Sequence, residues 1–131
     1  DDRDVIARFW GTPAGIPYAF NSLHKAGTKL LMGSDAPVAP LDPWLAISAA
    51  VFGTESSDRE PFQPEQCLDF ETALASSTAV GRVALRDADA ADLVLLDCDP
   101  SIIDSPEAMR AMPEHVLGTM LAGRWTYQQA E

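Results

Sequence analysis

One carboxylate in this chain stands out by its position. Asp35 follows Lys29-Leu30-Leu31-Met32-Gly33, a short and continuous apolar run, and precedes Ala36-Pro37. Such a run, directly after the helix-stopping Ala26-Gly27, reads as a parallel strand buried on both faces. Pro37 cannot donate to a ladder, so the strand expected over 29–33 must end there. Asp35 then sits at the C-terminal end of that strand, the end where α/β architectures gather ligands and chemistry. The competing reading is that Asp35 only closes the turn from Ser34 to Pro37 by accepting from local amides. Position alone leaves both open.

The other reactive side chains read as structural. Ser34 has neither a partnered base nor a Gly-x-Ser-x-Gly context, which argues against a serine nucleophile. His24 and His115 are isolated histidines, read as structural or solvent-facing. Cys67 and Cys98 match no CxxC spacing and form no disulfide framework, so they read as reduced thiols of a cytosolic protein. Asp97 and Asp99 end a strand before Pro100 and read as turn formers. The acidic stretch from Glu55 to Glu65 reads as a solvated loop. Trp10, Trp44 and Trp125 read as core or interface anchors.

The elements that must hold Asp35 follow from local signals. A short helix is expected near Asp4 to Trp10, then a loop punctuated by Gly11, Pro13, Gly15 and Pro17. Tyr18 to Lys25 reads as helical, with Gly27 suited to the left-handed stop. Asp42-Pro43 opens the clearest helix, with Asp42 as cap and Pro43 at the first helical position. It runs to about Phe52, with Trp44, Leu45, Ile47 and Val51 facing inward. Asp69 caps another helix running through Leu74 towards Thr78, and a further short helix is expected over Ala79 to Leu85. After Arg86 the character changes. Ala91 to Asp97 reads as a strand, and Val116–Leu121 with Arg124–Tyr127 read as a hairpin around Ala122-Gly123. The chain thus divides near Arg86, into 1–85 with an α/β character and 86–131 with a small antiparallel sheet. A buried parallel strand needs parallel neighbours, and this chain offers none of that type. It reads as a slice of a larger sheet.

Composition bounds the rest. The chain has 131 residues, 47% of them apolar, enough to bury a core, and its formal net charge is −11. That charge repels nucleic acid and anionic membrane surfaces, so neither is expected as a partner. No apolar run approaches the roughly 20 residues that span a bilayer. The start, Asp1-Asp2-Arg3-Asp4, lacks an initiator Met and a signal peptide's basic-then-apolar order, which suggests an excised piece of a longer chain.

Leu31-Met32-Gly33-Ser34-Asp35-Ala36-Pro37-Val38, followed by Pro40-Leu41-Asp42-Pro43-Trp44-Leu45-Ala46-Ile47, resembles the amidohydrolase superfamily. It is closest to the branch grouped with N-substituted formamide deformylase. Ala91-Asp92-Leu93-Val94-Leu95-Leu96-Asp97-Cys98-Asp99-Pro100 resembles that family's "ADLVVLDxDP" strand, and Val116 to Tyr127 its closing hairpin. Phe9-Trp10, Tyr18-Ala19-Phe20 and Ser22-Leu23 resemble the helix before the Gly-Ser-Asp strand. Two departures stand out. Only Arg86 to Ala90 precede the Ala-Asp-Leu-Val strand, where the family has a longer, Gly-rich connection. The family's His-x-His pair, central Lys or carboxylate, and later histidines have no counterpart here.

The resemblance implies an α/β fold made of the last βα unit of a (β/α)8 TIM barrel, followed by C-terminal strands of a small β-sandwich. It implies that the full-length parent is a metal-dependent hydrolase of an amide- or formamide-type C–N bond in a small-molecule substrate. Asp35 matches the carboxylate that ligates a divalent metal, zinc foremost, or takes a proton from the attacking water. This chain alone is expected to hold no metal, because zinc wants about four ligands, three or more of them from protein. It is expected to be inactive by itself and to self-associate through exposed strand edges. The alternative is a non-catalytic oligomerising module derived from the same scaffold.

Overall fold

A computed structural model describes residues 3–10, 15–79, 81, 83–87 and 89–130. Among the described residues five α-helices appear in chain order: α1 Arg3–Trp10, α2 Phe20–Lys25, α3 Pro43–Phe52, α4 Phe70–Ser77 and α5 Pro106–Arg110. The strands β1 Leu93–Leu96, β2 Val116–Leu121 and β3 Arg124–Gln128 form one antiparallel sheet in that order. The architecture is therefore mixed helix and strand, with a three-stranded sheet. Among the described residues no helix is long and apolar enough to cross a membrane.

Local chemistry accounts for the helix ends. Thr28 N–H donates to Leu23 O and Gly27 N–H to His24 O, with Gly27 at φ 83°. That pair of bonds satisfies carbonyls left over at the end of α2, and Gly27 takes the left-handed position at no side-chain cost. The Asp42 carboxylate accepts from Trp44 N–H at 2.9 Å and opens α3, with Pro43 in its first turn. The Asp69 carboxylate accepts from Thr72 N–H at 2.7 Å and opens α4. Those bonds pull the Asp69 carboxyl below its usual range, the Thr72 amide contributing most. Ser105 caps α5 by accepting from Ala108 N–H at 3.3 Å.

The core sits around α3. Ile47, Ala73, Met109 and Met112 are essentially fully buried, with Trp44, Ala50 and Leu68 beside them. α3 packs against both α4 and α5, so residues before and after Arg86 share one core. Leu45 and Val51 are half-buried, while Ser48 and Ala50 are buried with Trp44 and Ile47. The Ser48 hydroxyl meets its need inside that core by donating to Pro106 O at 3.3 Å.

Two expected elements do not form. Residues 29–33 are not part of the sheet; Met32 N–H donates to Ser76 O of α4 at 2.9 Å. The reason is pairing. A strand exists only through a neighbouring edge, and this chain supplies no parallel one among its described residues. The described residues of 79–85 are bends and turns rather than a helix; Val80 and Arg82 lie outside the description.

The acidic loop is also not simply solvated. Gly53, at φ 64°, ends α3 and accepts from Phe62 N–H at 2.7 Å. Asn21 of α2 donates to Glu65 O at 2.8 Å, Ser22 N–H donates to the Gln66 side chain at 3.1 Å, and Arg59 pairs with Asp4 of α1. Glu107 of α5 accepts from Ser57 N–H at 2.6 Å and Ser57 Oγ at 2.7 Å. Loop polar groups thus find partners on three helices, α1, α2 and α5.

Two predictions follow from these clasps. A Cβ at residue 53 would lie 2.8 Å from Cys67 Sγ and 3.1 Å from Phe62 O. Gly53→Ala combines that clash with an unfavourable φ and is expected to destabilise the fold by more than ~1 kcal/mol in urea unfolding. The Ser57 donors hold the Glu107 carboxyl down at about 2, against an ordinary 4.5. A depressed folded-state pKa stabilises fully above the unfolded value, and this contribution fades as pH falls through that window. Carboxyl NMR titration should show Glu107 titrating near the bottom of that window, moving up in Ser57→Ala.

Candidate functional site

Asp35 lies in the exposed connection between α2 and α3, at φ 54°. Its carbonyl accepts from Val38 N–H at 2.9 Å, and the Ser34 hydroxyl accepts from Ala36 N–H at 3.3 Å. The serine, not the aspartate carboxylate, therefore takes the local amide. The Asp35 carboxylate is left facing solvent. In the same stretch of chain Leu31, Val38 and Leu41 are 69%, 83% and 81% exposed.

A metal needs company that Asp35 does not have. Among the described residues Asp35 belongs to no group of three or more His, Cys, Asp or Glu side chains able to hold an ion. One carboxylate supplies one of the roughly four ligands zinc takes, so Asp35 with its present neighbours does not fit a metal centre. An open groove of about 630 Å³ lies between α2, residues 27–30 and α4, lined by His24, Lys29, Asp69 and Glu71 among others. Asp35 is not part of it. His24 there lies near Asp69 and helps, as the smallest contribution, to hold that carboxyl down.

A second cluster was not legible in the sequence. Asp97 and Cys98 follow β1, and His115 precedes β2. Leu96 pairs with Val116, and just beyond that pair Asp97 N–H donates to His115 O at 3.1 Å. The side chains meet as well, with His115 Nδ1 2.8 Å from Asp97 Oδ1. One ligand atom each of Asp97, Cys98 and His115 lies within 4.8 Å of the other two. The turn reading of Asp99 holds: its carboxylate accepts from Ser101 N–H at 2.9 Å, and the Ser101 hydroxyl, then its amide, hold the carboxyl low. Asp97 and His115, read as a turn former and an isolated histidine, are instead partners across the strand ends. The missed signal was positional. Antiparallel pairing brings the end of one strand to the start of the next, however many residues intervene.

The two thiols behave alike. Partial burial, then the Glu65 carboxylate, pushes Cys67 above the ordinary thiol range. Partial burial, then the Asp97 and Asp99 carboxylates, does the same to Cys98. A raised thiol pKa leaves little thiolate, so neither cysteine is poised as a nucleophile.

The profile of the Amidohydrolase family matches residues 3–127. Protein LONG AFTER FAR-RED 3 of Arabidopsis thaliana is 28% identical over 138 residues, which cover 97% of this chain and 23% of that protein. The chain thus spans about a quarter of the length of this curated relative. No solved structure matches the chain.

Proposed function

Because this chain belongs to the amidohydrolase family, we propose that it supplies the C-terminal part of a hydrolase that cleaves a C–N bond of the amide or formamide type. The observation that carries the reading is the family match, which runs through nearly the whole chain and includes the Gly33-Ser34-Asp35 segment. In this reading residues 29–33 become the last strand of a (β/α)8 barrel once parallel neighbours are contributed by the remainder of the protein. β1 to β3 become part of a small β-sandwich. The exposed Leu31, Val38 and Leu41 are then the surface that the remainder covers. Burying such side chains stabilises by about 25 cal/mol per Å² of apolar area removed from water.

Asp35 is the residue of this chain assigned to the chemistry. A solvent-facing carboxylate at the mouth of the site takes a proton from water as that water attacks the carbonyl carbon. It then returns the proton to the departing nitrogen, which must be protonated to leave. A divalent metal, zinc first, belongs to the full-length protein, since this chain alone does not complete a centre around Asp35. The substrate is a small amide-type molecule, with no nucleic acid and no membrane surface involved, and a cytoplasmic location suits the two free thiols.

A second reading draws on the same exposed apolar side chains: an oligomerising module in which a second copy of the chain covers them. Light scattering on the isolated chain addresses this. Both readings expect species heavier than 14.1 kDa, from open apolar surface in the first and a defined symmetric dimer in the second. A single monodisperse monomer would count against both. For the catalytic reading, Asp35→Asn in the full-length hydrolase is expected to lower kcat on an amide or formamide substrate by about 10²–10⁴-fold, the scale of general acid–base catalysis. Activity within a few-fold of the unsubstituted enzyme would remove Asp35 from the chemistry.

A further inference from the structure

We propose that Asp97, Cys98 and His115 form a binding site for a borderline divalent transition-metal ion, with Zn²⁺ as the natural occupant. The donor set is one carboxylate oxygen, one sulfur and one imidazole nitrogen. Hard cations such as Mg²⁺ and Ca²⁺ prefer all-oxygen cages, whereas mixed S/N/O sets suit Zn²⁺ and Co²⁺. The three donor atoms lie within 4.8 Å of one another. Ligand bonds of about 2.0–2.3 Å put tetrahedral neighbours somewhat over 3 Å apart. Small side-chain rotations therefore close the site, leaving the fourth position to water.

The backbone already holds the three residues in place. Leu96 pairs with Val116, and Asp97 N–H donates to His115 O at 3.1 Å, so the two strand ends are fixed at the site. Cys98 packs against the core, with its sulfur 3.8 Å from Met112 Sδ, while Asp97 and His115 keep nearly half of their side-chain surface open, at 47% and 43%. The site thus has a packed floor and a solvent entrance. Asp99 is not part of the group, and its Oδ1 accepts from Ser101 N–H.

Charge bookkeeping favours a dication. The thiol loses one proton to solvent on binding, giving a thiolate beside the Asp97 carboxylate. Two negative charges then meet two positive ones, and the loaded site is neutral. Without a cation the same carboxylates oppose the thiolate. The strongly acidic chain, at −11, also draws cations toward it. This reverses the expectation that the chain alone holds no metal, and it does not depend on the role of Asp35.

The test is Co²⁺ titration of the whole 131-residue chain, followed by absorbance. The expected result is a thiolate-to-cobalt charge-transfer band in the near ultraviolet that saturates at one ion per chain, with intense visible bands of a tetrahedral centre. Zn²⁺ should abolish both and Mg²⁺ neither. Cys98→Ser should remove the charge-transfer band, and Cys67→Ser should retain it. Because Cys98 touches the core, the exposed Asp97→Asn provides a second variant; it should bind Co²⁺ at least tenfold more weakly with unchanged far-ultraviolet circular dichroism. Absence of the charge-transfer band, its persistence in Cys98→Ser, or metal uptake indifferent to both variants would overturn the proposal.

Discussion

The rest of the structure depends on the need to cover α3. Its sequence, Pro-Trp-Leu-Ala-Ile-Ser-Ala-Ala-Val-Phe, has a single polar side chain. A helix apolar around nearly all of its circumference has no solvent face and is stable only when neighbours surround it. α4 covers one side through Ala73, and α5 with the following turn covers another through Met109 and Met112. Leu68 closes a third, its amide donating to Ala50 O at 2.8 Å. Even Ser48 follows this logic, directing its hydroxyl to a backbone carbonyl of the covering segment rather than to water.

The loop after α3 can then be understood as a consequence. A helix that must be covered by elements distant in sequence brings those elements under a shared connection. Residues 53–66 provide it, and their polar groups reach α1, α2 and α5. The ties run through the backbone carbonyls of Glu60 and Glu65 and through Ser57, whose amide and hydroxyl both donate to the exposed Glu107 carboxylate of α5. Each tie is individually weak, because exposed charge pairs are solvated in the unfolded chain too.

The fold was legible wherever the cause is local. Asp42-Pro43 and Asp69 announce α3 and α4 because caps act within three residues, and Ala122-Gly123, both at positive φ, announce the hairpin for the same reason. α5, which the sequence reading did not anticipate, is capped by Ser105 but spans only five residues, too few for periodicity to show. The segment 29–33 has a strand composition, yet strand formation is a property of pairs of segments, and apolar content cannot supply the partner. For the candidate sites the division is similar. Asp35 is a candidate because of its place after an apolar run. Asp97, Cys98 and His115 were separated by a stretch of chain whose course, through α5 and a 3-10 turn at Met112–His115, no short-range pattern encodes.

The Asp97–His115 pair has a bearing on which way the strand beside it faces. β1 exposes Leu93, Val94 and Leu95 alike, on both sides of the sheet. Burial usually decides how a strand aligns, since sliding by one residue turns every side chain over, and with similar apolar residues on both faces that penalty is small. In β1 it is Leu96 that packs against the core, so few apolar contacts fix the alignment. The polar contact at the end of the ladder, beside the irregularity between Leu95 and Leu96, is satisfied in only one alignment. It serves as an index mark for one end of the strand, and at the other end Asp92 does the same by accepting from Ala122 N–H at 2.6 Å.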